Sequence, residues 1–533
     1  MKPLSRQQRL QLASQTIVQP TQLPAPIKGW NTRDALDAMD PLDAVLLDNW
    51  FPNTGGVDVR NGYVQYAQTV SVVSFSDGFS SGFETSTVSF TGPVQTLVEF
   101  NAGSTRKFLA AGSGNIFDIS AGGNSGAPLK TGFASDQWQT VQFLSRLFFV
   151  NGVDTPQVFD GTSLTDMVFT GATLSRLIGV VQYQQRLFFW QISSTGFYFA
   201  PLNSISGALS FYDLAAFAPR GGNIVAATTF SHDGGNGVQD FIIFIMSSGD
   251  ACIFFGNDPS DATAWQLVGR YRISPPVSPR AVCNYGAEAF ITTFDDHLPL
   301  QQQLVALKLG QLPPRSKISP SVQAAVKANK SAFGWQALYY PAGRRLMFNI
   351  PNPDGTFSQH VQNTGVASPD GTYPWCRFQD MNAFCWGLFN DKLYFGAAGG
   401  IIYQADTGSL DVLGPVVATG QQAWNDFNNP LRKRLAAARP LVQALGSTSL
   451  QFAVGFDYRD LNVTNDVVIS AIGSPWDTSP WDTSPWSAES QITTQWRISG
   501  GDGVAIGVGL NVGALDPVTW LRTDLRFEQG KYL

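Results

Sequence analysis

Short apolar runs, each opened by a charged residue and closed by turn residues, recur through the middle of the chain. Arg146-Leu147-Phe148-Phe149-Val150-Asn151-Gly152 returns as Arg186-Leu187-Phe188-Phe189-Trp190, as Arg345-Leu346-Met347-Phe348-Asn349 and as Lys392-Leu393-Tyr394-Phe395-Gly396. Looser copies are Lys107-Phe108-Leu109-Ala110, Asp240-Phe241-Ile242-Ile243-Phe244 and Glu288-Ala289-Phe290-Ile291-Thr292. A short, continuous, aromatic-rich run of this kind predicts a strand buried on both faces. A second strand often follows, as in Gly114-Asn115-Ile116-Phe117-Asp118, Pro156-Gln157-Val158-Phe159-Asp160-Gly161 and Gly399-Gly400-Ile401-Ile402-Tyr403. The copies start at 107, 146, 186, 240, 288, 345 and 392, in steps of 39, 40, 54, 48, 57 and 47. A period of about 40–50 residues with several short strands per unit predicts a β-propeller. Seven units are expected, with six or eight also compatible. A β-sandwich with coincidental turns is the alternative, but four copies agree in charge, aromatics and flanks.

Around this repeat, the pattern divides the chain into four parts. Residues 1–27 are polar, then rich in Gln and Pro, and Pro20, Pro24 and Pro26 exclude a continuous helix or central strand. They predict an extended arm, disordered alone or ordered against a neighbour. Residues 28–69 predict a short capped helix beginning near Asp40 or Pro41, ended by Asn49-Trp50-Phe51-Pro52. A Gly55-Gly56 turn and a strand through Val57 and Val59 follow. Residues 70–420 hold the propeller, and Ser319-Pro320 with apolar positions 322, 325 and 326 predicts a helical insertion near 317–330, packed on the surface.

Residues 421–533 are β-rich in pattern. Leu450-Gln451-Phe452-Ala453-Val454-Gly455-Phe456 alternates like a half-buried strand. Gln495-Trp496-Arg497-Ile498 and Val504–Leu510 read as paired strands, and the segment from Val518 to Glu528 reads as the last strand. Within this part Ser-Pro-Trp repeats every five residues, at Trp476, Trp481 and Trp486. Proline at that spacing forbids a helix, so the rings either anchor a partner or pack back on their own domain. The basic run Arg432-Lys433-Arg434 reads either as a contact to DNA phosphate or an acidic neighbour, or as a solvated loop.

Composition narrows the function. The 533 residues suffice for two or three domains. Only 14% are charged, below the usual value of about 25%. That low share suits β-architecture and large permanent contacts between subunits. A net charge of −6 argues against a generic basic nucleic-acid binder. Cys252, Cys283, Cys376 and Cys385 are too scattered for a disulfide framework and read as small buried hydrophobes. His232, His297 and His360 carry no metal-ligand spacing, so neither metal nor cofactor is expected. No run approaches the roughly 18–20 apolar residues of a membrane span, and the polar start has no signal-peptide core, so synthesis and folding in a cytoplasm are expected.

Catalytic constellations are sparse. There is no P-loop and no nucleophile elbow in a strand-turn-helix context. Asp295, Asp296 and Asp457 are glycosidase candidates by residue type alone, and Ser231-His232-Asp233-Gly234-Gly235 has the look of an Asp-box turn without its aromatic. The expectation is a protein that is not an enzyme.

One stretch resembles a known family. Pro41, Ala44, Asn49, Pro52, Gly55, Gly56, Arg60 and Gly62, preceded by Trp30-Asn31, stand in the order found near the N-terminus of the tail nozzle proteins of short-tailed bacteriophages, also called tail tube B or packaged-DNA stabilisation proteins. The likeness covers about 35 residues. The Ile318-Ser319-Pro320 helix start and the closing Phe527-Glu528 are similar to that family too, although Gln529 stands where its pattern has a glycine. The resemblance implies a structural virion protein of the tail, made in the host cytoplasm. It implies six copies docked on an adaptor (head-to-tail connector) ring, with a β-sandwich-like platform domain built from the N- and C-terminal segments. DNA would pass without specific binding along the axis between subunits, and the propellers would carry fibres or spikes. Trp30, Asn31, Pro41, Asn49, Pro52 and Arg60 are the candidate platform motif. The alternative from another class is a propeller that binds or cleaves glycans.

Overall fold

The computed structural model describes residues 18–76, 83–233, 238–367, 371–412, 414–446, 448–459, 461–469, 491–492, 495–498 and 500–529. They are mainly β, with strand after strand and two α-helices. The chain divides into two compact units. One comprises Met1–Gly62, Gln362–Phe378 and Gly408–Leu533, and the other Tyr63–Val361 and Gln379–Thr407.

The second unit is the propeller. Each of the seven apolar runs is the second strand of an antiparallel meander: Thr105–Gly112, Arg146–Val150, Arg186–Gln191, Val238–Met246, Glu288–Thr292, Arg345–Pro351 and Lys392–Gly396. A second strand has a strand on each side and a neighbouring meander on each face. Its middle must therefore be apolar, and Arg345–Pro351 is buried at every position, its Arg345 paired with Asp406 and its Asn349 bonded to Gly334 O and Ala383 O. Leu144-Ser145, Gln184-Gln185 and Asn390-Asp391, which join first to second strands, hold both residues at positive φ. That is the tight two-residue turn whose twist matches a hairpin.

The meanders close a ring. Val94–Ala102 touches Arg146–Val150 of the next meander, whose first strand, Gln139–Phe143, touches Leu177–Tyr183. Contact continues through Ile224–Asp233, Val282–Tyr285, Gln336–Tyr340 and Cys385–Phe389, and the last of these returns to Val94–Ala102. Five meanders are separate sheets, and the remaining two belong to one larger sheet. The seventh takes its fourth strand, Tyr63–Gln68, from the start of the unit, so hydrogen bonds between its first and last strands fasten the ring. Aromatic stacking fills the gaps between meanders. Phe197 and Phe244 stack at 4.3 Å, and Phe108 and Phe389 at 4.9 Å. Arg280, before the fifth meander, donates from Nη1 to Gln95 O of the first at 2.7 Å, and its guanidinium lies 5.3 Å from the Phe333 ring. The fifth and first meanders are not neighbours in the ring, so this side chain crosses the bore.

The fifth meander has three strands, and helix α1 (Leu300–Lys308) follows in place of a fourth. Its N-terminus is capped from a distance, because the Glu288 carboxylate accepts from Gln301 N at 2.6 Å and Gln302 N at 3.2 Å. Helix α2 (Ser319–Asn329) is the predicted insertion, with proline in its first turn and Val322 and Val326 buried.

The first unit is a sandwich of two sheets. One contains Trp50–Pro52, Val57–Val59, Val518–Gln529 and Lys433–Ala444, and the other Asp43–Asp48, Gly414–Gln422, Ile506–Ala514 and Thr448–Phe456. Trp50 and Trp520 of the first sheet sit 5.9 Å apart, and a Cβ on Gly420 of the second would meet both rings at 3.0–3.2 Å. The sheets therefore touch face to face across a core that is apolar and tightly filled.

Several expectations are corrected here. No helix forms at Asp40-Pro41. Asp40 Oδ1 does accept from Leu42 N, but the chain continues as the strand Asp43–Asp48, paired with Gly29–Trp30 and with Gly414–Gln422. Two ready strand partners outweigh a weak local helix signal. The described part of the arm, Val18–Pro24, pairs with Val518–Gln529 as an edge strand, where Pro20 and Pro24 lose no ladder bond on the open side. Residues 495–498 and 504–510 do not pair with each other. Arg497–Ile498 pairs with Lys433–Ala444, and Ile506–Ala514 lies in the other sheet. The strand Tyr63–Gln68, expected in the platform, fastens the propeller, while Gln362–Phe378 and 408–420 join the platform.

Candidate functional site

The stretch that carries the family likeness folds into one buried lock within the platform unit. Asn49 has φ 58°, a left-handed conformation that Asn tolerates better than most residues. The bend ends the strand Asp43–Asp48. Asn49 N donates to Arg377 O at 2.8 Å, and Asn49 O accepts from Arg60 N at 2.9 Å. Its side-chain amide donates to Val417 O and accepts from Arg60 Nε, both at 2.8 Å. Arg60 then grips Asp411 with two bonds, Nη1 to Oδ1 at 2.8 Å and Nη2 to Oδ2 at 2.6 Å, and Nη1 also reaches Asn61 O. Only 1% of the Arg60 side chain is exposed.

The flanking motif residues extend this lock. Asp48 takes a two-pronged pair from Arg377 at 2.7 Å, and the Arg377 guanidinium lies 5.2 Å from the Trp30 ring. Trp30 donates Nε1 to Val45 O, and buried Asn31 donates to Asp34 and Asp43. Pro52 O accepts from Asn363, and Pro41 is exposed in the turn before the strand. Gly62 must be glycine, because a Cβ would stand 1.9 Å from Leu410 O. The motif is therefore internal scaffolding, and what it can do chemically is hold three distant segments of chain together.

The three basic residues separate. Arg432 is exposed and pairs with Asp502 at 2.6 Å, and Arg434 is exposed on the strand Lys433–Ala444, opposite Glu528 in register. Lys433 is fully buried, and its ammonium donates to the carbonyls of Asn429, Leu431 and Val504 at 2.5–3.0 Å. Burial lowers its pKa from the ordinary lysine value. Lys433 is thus spent inside the fold and corrects the reading of a three-residue phosphate contact. Trp476, Trp481 and Trp486 lie outside the described residues.

The carboxylates considered for glycoside chemistry do not converge. Asp296 is buried and accepts from Ser316 N, Ser316 Oγ and His297 N, and burial pushes its pKa up. Asp295 is exposed beside it, and Asp457, in the other unit, accepts from Val504 N and Ala505 N. Ser231, His232 and Asp233 belong to the strand Ile224–Asp233 rather than to a turn, and Gly234 and Gly235 fall outside the described residues. His297 and His360, far apart in sequence, come together in the propeller. His297 Nε2 and His360 Nδ1 are 3.1 Å apart, and Thr292 Oγ1 is 2.9 Å from His297 Nδ1. Among the described residues no group of three or more His, Cys, Asp or Glu is placed to hold a metal ion. The four cysteines are free thiols, and burial pushes Cys252 up to about 11 and Cys283 and Cys385 up to about 12.

Sequence reasoning passed over one cleft in the platform. Arg522, Asp524 and Arg526 alternate along the strand Val518–Gln529, so they share a face, and Arg439 stands opposite Asp524 in register. Trp496, next to the strand Arg497–Ile498, covers this row: Arg439 and Arg526 lie 4.8 and 4.1 Å from its ring centre. The charge alternation Arg-x-Asp-x-Arg was the available signal. These side chains line a cavity of about 350 Å³.

No helix among the described residues is long and apolar enough to cross a membrane. No family model and no curated protein matches the chain. Solved structures similar to it include the computationally designed Ika8 protein, with a TM-score of 0.36 and 10% identity over 65% of this chain and 98% of that one. BBS1N in complex with ARL6DN gives a TM-score of 0.37 and 9% identity over 66% of this chain and all of that one. A second structure of that complex gives 0.38 and 8%, over 65% and 97%.

Proposed function

We propose that this chain is the nozzle subunit of a short-tailed bacteriophage. It would assemble as a hexamer on the adaptor ring, line the exit path of the DNA and carry fibres or spikes on its propellers. The observation that carries this reading is the lock of Asn49, Arg60 and Asp411. The motif positions shared with the nozzle family are the ones that tie the N-terminal segment to the chain that re-emerges after the propeller.

Electrostatics support the same reading. A conduit wall must let DNA slide, and dense Lys and Arg contacts to phosphate would hold it. The net charge is −6, and one of the three consecutive basic residues is buried. Arg280 crosses the propeller bore, which favours a DNA path between subunits over one through each propeller. No catalytic role is assigned. Mixing the purified chain with the adaptor ring and sedimenting the mixture tests the proposal. Stable co-sedimentation supports it, whereas a chain that ignores the adaptor and binds or trims a polysaccharide would transfer the function to the glycan reading.

A further inference from the structure

We infer that the arginine cleft of the platform is a binding site for a phosphate group. Three guanidiniums, Arg439, Arg522 and Arg526, share the cavity of about 350 Å³ with a single carboxylate, Asp524. Asp524 is 5% exposed and accepts from Arg439 Nε and Nη2 on Oδ2, at 3.2 and 2.5 Å, and from Arg522 Nε on Oδ1 at 3.0 Å. Its role is to orient two guanidiniums, since each keeps further N–H groups free of it. Arg526 contacts the Trp496 ring at 4.1 Å and makes no ion pair among the described residues. The next carboxylate on that face, Glu528, stands opposite Arg434 in register.

Charge decides the ligand class. Three cations and one anion leave the cleft at +2. A single carboxylate would neutralise half of that, whereas a phosphate carries about −1.5 to −2 near pH 7 and offers at least three acceptor oxygens. Guanidinium forks match those oxygens in pairs. The Trp496 ring packs against two of the forks, at 4.8 Å from Arg439 and 4.1 Å from Arg526. The cavity is also at the lower end of the size range of small-molecule sites, about 300–1,000 Å³. A free or singly esterified phosphate carries that charge of about −1.5 to −2, whereas a backbone phosphodiester of a nucleic acid carries −1 on two unesterified oxygens and would leave half of the +2 unmatched. The inference stands on the platform's own geometry and does not depend on the nozzle reading.

The test is calorimetric titration of the full chain with sodium phosphate, against sodium chloride at matched ionic strength. Saturable binding is expected with wild type and with Arg432→Gln, whose exposed arginine lies elsewhere. Arg526→Gln should weaken it about tenfold or more, as expected for losing charge-assisted bonds. The Arg526 side chain makes no hydrogen bond among the described residues, so the variant should fold, and circular dichroism verifies that. Trp496→Phe should remove a phosphate-dependent part of the fluorescence. Phosphate heats no larger than chloride heats, or Arg526→Gln binding phosphate like wild type, would overturn the inference. A short DNA duplex is then added. Displacement of bound phosphate would overturn the charge argument and give the site to nucleic-acid phosphates, and retention supports a free or singly esterified phosphate.

Discussion

Replacing Asp411 with alanine tests the lock directly. The Arg60 side chain is 1% exposed and the Asp411 side chain 13%, so the guanidinium is buried behind its partner and loses a bonded carboxylate when that partner is removed. Two bonds of 2.8 and 2.6 Å are lost, while those to Asn49 and Asn61 remain. Stranding one member of a buried pair costs about 3–5 kcal/mol, most of it the penalty of an uncompensated charge. For a unit of roughly 200 residues each kcal/mol moves Tm by about 2–4 °C, so a drop of about 6–20 °C is expected. Scanning calorimetry of the full chain measures it. The double variant Arg60→Met with Asp411→Leu removes both charges at similar volume, and it should recover most of the loss. An Asp411→Ala protein within about 2 °C of wild type would refute the reasoning, because the pair would then be solvated and the motif would not be scaffolding.

Other expected outcomes follow from single positions. Lys433→Met leaves three carbonyls without a donor and should cost about 2–3 kcal/mol in urea unfolding, whereas Arg432→Ala should stay within about 0.5 kcal/mol. Gly62→Ala puts a Cβ 1.9 Å from Leu410 O and should cost at least about 3 kcal/mol or abolish soluble expression, with wild-type solubility as the contrary result. Burial and the neighbouring His360 hold His297 well below its usual value near 6.5, so the unfolded chain binds a proton that the folded propeller excludes. This contribution is complete above pH 6.5 and is lost as pH falls toward the folded value. His297→Gln should therefore flatten the decline of Tm between pH 7 and 5, and an unchanged slope would dismiss the pair as its source.

The propeller was legible because its second strands carry a continuous apolar, aromatic-rich run behind a charged residue, and the aromatics of those runs, such as Phe148 and Phe348, are fully buried. The turns were less so. Leu144-Ser145 and Gln184-Gln185 adopt positive φ without the Asn-Gly that usually announces it. Helix α1 was invisible because its cap, Glu288, arrives from the preceding hairpin. At Asp40 a local cap signal was read as a helix, yet the same side-chain bond serves a turn into a strand. The phosphate cleft could be glimpsed in the alternation of Arg522, Asp524 and Arg526, but Arg439 and Trp496 join it only through strand register. The Asn49–Arg60–Asp411 lock was half legible, since two partners lie in the quoted motif and the third is 351 residues from Arg60.

The most direct measurement is the mass and symmetry of the purified chain, alone and mixed with the adaptor ring that the proposal calls for, by light scattering and negative-stain averaging. The account predicts six copies around a central hole, formed either by the chain alone or once the adaptor is present. A particle that stays monomeric on addition of the adaptor, or a ring of another order, would contradict it.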